Sequence, residues 1–380
     1  MNKEIFVSIV IPCLNEEKTI GHCVKSAKGA IKAYGAGGEV IVVDNDSSDK
    51  SAKIAKDAGA KVIFEKRRGY GSAYLRGLKV VQGKYIVMAD GDGTYDFSEL
   101  NKFVKLLDDG FDLVNGSRLR GKISKGAMPR LHRHVGVPLL TFMLNFLFKT
   151  RVSDAHCGMR AFTKEAYRKL DLRTLGMEFA SEMIFKAADM NLKIAEVPIS
   201  YYPREGESKL NSFRDAWRHI RFMLFYSPTY LFLAPGLFFF TVGILIAASL
   251  FIGPITILRF RFDIHTMQLG GLMSVFGFQL MNVGIYAKIY SLTEKFKKQD
   301  LFVEKFLSYF SLERMVVLGL FLVVIGLLIY VFVFFKWAAG GFRGLSEMRQ
   351  AIISSILVII GAQTIFSSFF ISLLLMSRKR

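Results

Sequence analysis

The sequence is poor in the features that mark several common protein classes. It has only three cysteines, Cys13, Cys23 and Cys157, without the paired spacing of a metal-ligand set. A disulfide framework or structural zinc site is therefore not expected, and free thiols in a reducing compartment are. His132, His134 and His156 match no familiar metal spacing either; phosphate contacts or surface positions are expected for them. No Walker or dinucleotide glycine loop occurs, since Gly69-Tyr70-Gly71 lacks both spacings, so those two modes of holding a nucleotide are excluded. Internal repeats and low-complexity stretches are absent.

Charge is scarce in one part of the chain only. Up to about Ser227 charged residues alternate with short apolar runs. Beyond it lie four nearly uncharged stretches, Leu231–Ile252, Met267–Ala287, Met315–Phe335 and Ala351–Met376. Each reaches the roughly 20 residues that cross a bilayer core of about 30 Å. The sequence is thus read as a soluble domain followed by four membrane spans, with domains at 1–211, 212–229 (a juxtamembrane amphipathic helix) and 230–380.

Acidic residues are outnumbered 51 to 32 by basic ones, for a net charge of +19. In a membrane protein this predicts attraction to anionic headgroups and phosphorylated substrates rather than to nucleic acid. No secretory leader is recognised ahead of the first strand-like run, so the soluble domain is expected in the cytoplasm. The basic loop bearing Lys288, Lys295, Lys297, Lys298, Lys305 and Arg314, and the tail Arg378-Lys379-Arg380, agree by the positive-inside rule. A multi-pass protein with both termini cytoplasmic follows.

In the soluble part, the β-rich runs Val7–Ile11, Val40–Val43, Lys61–Phe64 and Tyr85–Ala89 alternate with helical stretches at Glu17–Tyr34, Ser48–Ala58 and Tyr70–Val81. That alternation predicts βαβ units and a mostly parallel, Rossmann-like α/β sheet. Ligands of such sheets sit beyond the carboxyl ends of the strands. Those ends read Asn15-Glu16-Glu17, Asp44-Asn45-Asp46 and Asp90-Gly91-Asp92, with Gly116-Ser117-Arg118 after the run Leu113–Asn115. Two aspartates one residue apart can meet a divalent cation together with a diphosphate, or form an ordinary turn. Asp44 and Asp46 can accept hydrogen bonds from a nucleoside or cap the next helix; Asn15 and Glu16 carry the same two readings.

The run Val7–Glu17, then Val42–Asp49 and Asp90-Gly91-Asp92, resembles family 2 glycosyltransferases of the GT-A fold over about the first 225 residues. Ser153-Asp154-Ala155-His156-Cys157-Gly158-Met159-Arg160-Ala161-Phe162 and Tyr202-Pro203-Arg204-Glu205-Gly206-Glu207-Ser208-Lys209 resemble segments of dolichyl-phosphate mannose and glucose synthases, with the glucose branch the nearer. The resemblance implies inverting transfer of a hexose from UDP-glucose or GDP-mannose to a polyprenyl (dolichyl) phosphate, with Mg²⁺ or Mn²⁺. It implies that Pro12, Asn15, Glu16, Asp44, Asp46 and Arg160 contact the nucleotide sugar, and that Asp90 and Asp92 hold the metal and diphosphate. Arg118, Arg204, Ser208 and Lys209 would meet phosphates, and Asp154 would lie near the reacting sugar. Arg160 pairing with Asp154 is the structural alternative. A phosphate acceptor is already largely dianionic at pH 7, so Asp154 is expected to position charge first and act as a base second.

Processive polysaccharide synthases, also of family 2, carry a Gln-x-x-Arg-Trp motif, and none occurs. A lipid scaffold with a degenerate transferase domain is opposed by the intact Asp90, Asp92 and Asp154. Leu139–Phe148 is too short to span and reads as interfacial or as a core helix; Ser212–Tyr226, with interleaved arginines and aromatics, reads as membrane-surface. Membrane lipids are thus expected partners, and a homo-oligomer is compatible with the sequence.

Overall fold

The computed structural model describes residues 5–35, 37–206, 212–293, 300–343 and 347–376. Two compact units result, residues 1–223 and 224–380.

In the first unit seven strands form one sheet: β1 (Ile5–Cys13), β2 (Gly37–Asp44), β3 (Lys61–Phe64), β4 (Tyr85–Met88), β5 (Leu113–Ile123), β6 (Arg160–Thr163) and β7 (Ile194–Tyr201). Their order is β3-β2-β1-β4-β6-β5-β7. The first four pair in parallel, joined by α1 (Ile20–Tyr34), α2 (Ser51–Asp57) and α3 (Tyr70–Leu78). This is the Rossmann-like half expected from the strand–helix alternation. β6 then enters antiparallel between β4 and β5, while β5 and β7 run parallel. The result is a mixed, GT-A-like sheet.

Both faces of this sheet are covered, which explains why the centres of β1 (Ile9–Ile11) and β2 (Val40–Val43) are apolar without a break rather than alternating. Val7, Ile9 and Ile11 pack on one face with α1 and α4 (Leu100–Asp108). Val10, Ile41, Val43, Ile86 and Met88 pack on the other, with α3, α5 (Val137–Phe148), α6 (Lys164–Leu170) and α7 (Phe179–Asp189).

α5 has the buried side of a core helix and, beside it, an exposed apolar side. Leu140, Thr141 and Leu144 are buried. Leu131, Val135, Leu139, Phe142 and Phe146, spaced by three or four residues and so along one side, are all more than half exposed. α8 (Ser212–Phe225) packs on α7 through Phe222 against Phe185, and Met223 is fully buried. Trp217 and Phe225 of the same helix stay exposed.

Among the described residues the second unit holds four helices long and apolar enough to cross a membrane, Thr229–Ser249, Ile264–Thr293, Leu312–Ala339 and Met348–Met376. They comprise α9 (Ala234–Ser249) with its preceding turn, α10 (Ile264–Thr293), α12 (Leu312–Ala339) and α13 (Met348–Met376). A short hairpin, β8 (Ile255–Ile257) and β9 (Phe260–Phe262), joins the first pair, and α11 (Leu301–Tyr309) lies between the pairs. Glycines bring each pair into backbone contact. A Cβ at Gly277 would lie 2.2 Å from the Phe240 nitrogen, and one at Gly319 would lie 2.7 Å from the Gly361 oxygen. Small residues at such seams are what let helices associate where no hydrophobic drive exists. Lys288 of α10 meets Asp300, the N-cap residue of α11, at 2.8 Å.

Candidate active site

The carboxyl ends of β1, β2 and β4 lie side by side in the sheet, so the loops that follow them are brought together. Asn15 turns with φ 51°, and its Oδ1 accepts from the Ser48 amide at 2.8 Å. The Glu16 amide donates to Ser51 Oγ at 2.8 Å. These contacts tie the loop after β1 to the loop after β2. Asp44 is 4% exposed; its Oδ2 accepts from the Ser47 amide at 3.2 Å, and its Oδ1 has no partner among the described residues. Pro12 closes β1 beside it, paired in register with Val43. Asp46 lies further out and pairs with Arg68 at 2.9 Å.

Asp90 and Asp92 follow β4. Thr19 Oγ1 donates to the Gly91 carbonyl at 2.7 Å, fastening their loop to the start of α1. Burial first, and then the neighbouring Asp92 charge, push the Asp90 carboxyl up to about 7, against hydrogen bonds from Tyr70 and Tyr74. Asp92 Oδ1 accepts from Thr94 Oγ1 at 2.6 Å. Its other oxygen lies 3.7 Å from Arg204 Nη1, while Arg204 Nη2 is ion-paired with Glu16. One guanidinium therefore bridges two of the expected site acids. Among the described residues no group of three or more His, Cys, Asp or Glu side chains could hold a metal ion. A cation held here by Asp90 and Asp92 would rely on substrate oxygens and water for its other ligands, which is how magnesium ordinarily binds.

The loop before β6 supplies Asp154. Its carboxylate is fully buried and paired with Arg118 of β5: Nε donates to Oδ2 at 2.7 Å and Nη2 to Oδ1 at 2.8 Å. Burial is the largest single influence and works against the guanidinium charge, but the Asp154 charge and its hydrogen bonds, with smaller help from Tyr95 and Cys157, together raise the Arg118 pKa. Arg160 is not the partner of Asp154. Its guanidinium, 1% exposed, donates to the carbonyls of Cys157 at 2.9 Å, Ala180 at 2.5 Å and Ala155 at 2.7 Å. It is a buckle that holds the Asp154 loop against the first turn of α7. Thr141 on α5 fastens the same loop by accepting from the Ala155 amide at 3.2 Å. Ser208 and Lys209 lie outside the described residues.

Several residues of the site escaped sequence reasoning. Asn45 accepts from the Gly69 amide and donates to the carbonyls of Glu65 and Arg67, joining β2 to the loop that starts α3. Tyr70 and Tyr74 bring their hydroxyls to Asp90; their spacing of four residues on one helix was the available signal. Gly158 donates its amide to the Tyr95 hydroxyl at 2.8 Å. A Cβ there would come within 2.5 Å of Asp90 Oδ2, so any larger residue would press on that carboxylate. The three thiols are all buried, and burial pushes each up to about 12, which leaves them unreactive at neutral pH.

Residues 8–171 match the glycosyl transferase family 2 model, and residues 285–375 match the glycosyltransferase family 2 C-terminal transmembrane region. The low-salt glycan biosynthesis hexosyltransferase Agl6 of Haloferax volcanii is 43% identical over 364 residues, 96% of this chain and 87% of that protein. The chain belongs to glycosyltransferase family 2. This transferase is also 34% identical over 209 residues to the dolichyl-phosphate hexose transferase of the same organism, covering 54% of its own length and 87% of the relative. The solved glucosyl-3-phosphoglycerate synthase of Mycobacterium tuberculosis, in complex with Mn²⁺, UDP and phosphoglyceric acid, aligns at 24% identity and a TM-score of 0.47. That alignment covers 58% of this chain and 78% of that one. The protein is a membrane-bound glycosyltransferase.

Proposed function

We propose that this enzyme transfers a hexose, glucose in preference to mannose, from a nucleoside diphosphate sugar to a polyprenyl phosphate at the cytoplasmic membrane face. The observation that carries this reading is the double role of α5. One side presents the apolar stripe of Leu139, Phe142 and Phe146, suited to lying in the headgroup region. The opposite side holds the Asp154 loop through Thr141. A helix lying on the bilayer would thus carry the acid loop at the level of a lipid phosphate. The name of the dolichyl-phosphate hexose transferase, matched over the catalytic unit, supports the same acceptor class. The basic loop after the second span favours a cytoplasmic catalytic unit.

In the reaction a phosphate oxygen of the lipid attacks the anomeric carbon and forms the new C–O bond. The bond from that carbon to the diphosphate breaks, and the nucleoside diphosphate leaves with the electron pair. A single displacement inverts the anomeric configuration. The acceptor's second pKa is about 6, so it reaches the site largely as a dianion and needs no base. Asp154, with both oxygens engaged by Arg118, serves as a fixed electrostatic anchor. Asp90 and Asp92 would hold Mg²⁺ or Mn²⁺, whose chemistry when bound is to offset charge on the departing diphosphate. Asp44, through its unpartnered Oδ1, together with Pro12, Asn15 and Glu16, would receive the nucleoside, with Asp46 at the outer rim. Arg160 would act by shaping the Asp154 loop. Arg204, once released from Glu16 and Asp92, would meet phosphate, as would Ser208 and Lys209.

The test uses purified protein in detergent with Mn²⁺, polyprenyl phosphate and radiolabelled UDP-glucose or GDP-mannose in parallel, with Asp92→Ala as control. Label passing into lipid from one donor, and lost in the variant, is the expected result. Donor that binds yet labels no lipid under any nucleotide sugar would rule the acceptor out.

A further inference from the structure

A second polar cluster borders the Asp154 loop. Ser181 Oγ, in the first turn of α7, lies 3.1 Å from His219 Nδ1 and 3.3 Å from His156 Nε2. The two rings meet edge-on with centroids 4.5 Å apart. His219 belongs to α8 and is 7% exposed. His156 belongs to the acid loop, and its amide donates to Asp154 Oδ1 at 3.3 Å. Both imidazoles are held below their ordinary pKa, chiefly by burial: His156 well below it, His219 at about 4. Arg118 and Arg160 face His156, and Asp215, Arg218 and Arg160 face His219. Protonating His156 would add a third cation to two guanidinium groups, so both rings are neutral at pH 7.

That neutrality has a consequence for direction. A serine hydroxyl carries one proton, so between two neutral imidazoles it donates to one and accepts from the other. If His219 donates from Nδ1, Ser181 donates to His156 Nε2, and the His156 proton sits on Nδ1. If the chain runs the other way, His156 donates from Nε2 and its Nδ1 is a bare acceptor. Yet Nδ1 is buried and has no partner among the described residues. Unmet buried polar atoms are costly and rare in folded proteins. The loop does not need this side chain for support, since Arg160 and Thr141 already fasten it. A buried, unmet nitrogen beside the acid of a transferase is the kind of group that a substrate completes.

We propose that His156 Nδ1 hydrogen-bonds an oxygen of the bound substrates, either a hydroxyl of the sugar or an oxygen of the acceptor phosphate. Ser181 and His219 are then positioning residues: they fix whether that nitrogen donates or accepts. The inference rests on glycosyl transfer at this site and not on the identity of the lipid.

Two substitutions separate this role from a structural one. Asparagine carries its amide where Nδ1 stands but cannot reach Ser181, whereas glutamine reaches toward Ser181 and abandons the Nδ1 position. His156→Gln is expected to raise KM for one substrate by about 5- to 30-fold, and His156→Asn to recover most of that loss. Ser181→Ala should raise the same KM, and Ser181→Thr should restore it. A purely structural link predicts the reverse order, glutamine tolerated and asparagine not, and that result would overturn the proposal. A second measurement needs no turnover: the full chain, ¹⁵N-labelled at histidine in lipid nanodiscs, titrated with nucleotide sugar alone or polyprenyl phosphate alone. A shift of the His156 Nδ1 resonance with the sugar nucleotide identifies a donor oxygen, and a shift with the lipid identifies the phosphate. No shift with either sinks the idea. A shift with the sugar nucleotide in a protein that labels no polyprenyl phosphate would retain His156 and retire the lipid acceptor.

Discussion

Arg118 grips Asp154 side-on, through Nε and Nη2 at 2.7 and 2.8 Å, around a carboxylate that no solvent reaches. Fork-on-fork geometry of this kind is the strongest form of the ion pair. Removing one partner leaves the other charge buried and unmatched.

Asp154→Asn and Arg118→Met should therefore each lower stability by about 3–5 kcal/mol, read as the unfolding temperature of the detergent-solubilised protein. The double variant should be no worse than the poorer single one. Additive losses would mean that the two side chains act separately.

Gly158→Ala offers a gentler probe of the metal-binding reading. The new methyl would press within 2.5 Å of Asp90 Oδ2. Mn²⁺-dependent transfer should fall at least about tenfold, a barrier change of roughly 1.4 kcal/mol. The unfolding temperature should move little, because the intrusion is local. Normal activity would show that the Asp90 loop yields without consequence.

Acid should loosen the catalytic unit through its buried imidazoles. His219 falls from 6.5 to about 4 on folding, chiefly by burial, and His156 also falls well below 6.5. The unfolded chain accepts protons that the folded chain refuses, so stability is complete above about 6.5 and declines as pH drops toward 4. For His219 alone the decline approaches on the order of 3 kcal/mol. Unfolding temperatures measured between pH 7.5 and 4.5 should fall more steeply in the parent than in His219→Phe. Parallel slopes would assign the acid sensitivity to other groups.

The apolar stripe of α5 predicts a selective kinetic defect. Leu139→Asp and Phe142→Asp replace outward-facing side chains that are 51% and 65% exposed, so the fold should tolerate them. Each removes a contact with lipid that, if fully buried there, would contribute about 1.5–3 kcal/mol. KM for polyprenyl phosphate should rise by about 10- to 100-fold, with KM for the nucleotide sugar unchanged. An equal rise in both would point to damage within the sheet.

The elements with the strongest local character were the most legible. β1 and β2 centre on the β-branched runs Ile9–Ile11 and Val40–Val43, β4 is a short apolar run, and the four spans are long and nearly uncharged; all appear close to their expected bounds. β6 was not legible, because a four-residue strand inserted antiparallel between β4 and β5 is decided by partners far away in the chain. The clustering of carboxylates at strand ends could be anticipated, since parallel topology forces those ends together. The fates of the two arginines could not. Arg160 meets carbonyls from two separate segments, and Arg118 takes the partner for which Arg160 was the sequence's candidate. Nothing in the spacing of Ser181 and His219 hints that they share a hydrogen bond.

The glycine seams of the membrane unit bear on where an isoprenoid tail can run. Between α9 and α10, and between α12 and α13, backbone meets backbone at distances that admit no extra methyl group, still less a branched hydrocarbon. The tail of the proposed acceptor would be confined to the outer surfaces of the two hairpins or to the line along which α10 meets α13. A photoactivatable polyprenyl phosphate should accordingly label positions such as Leu272 and Phe276, and spare Gly277 and Gly319. The two hairpins behave as closed staves, and a lipid acceptor would travel along the staves rather than through their joints.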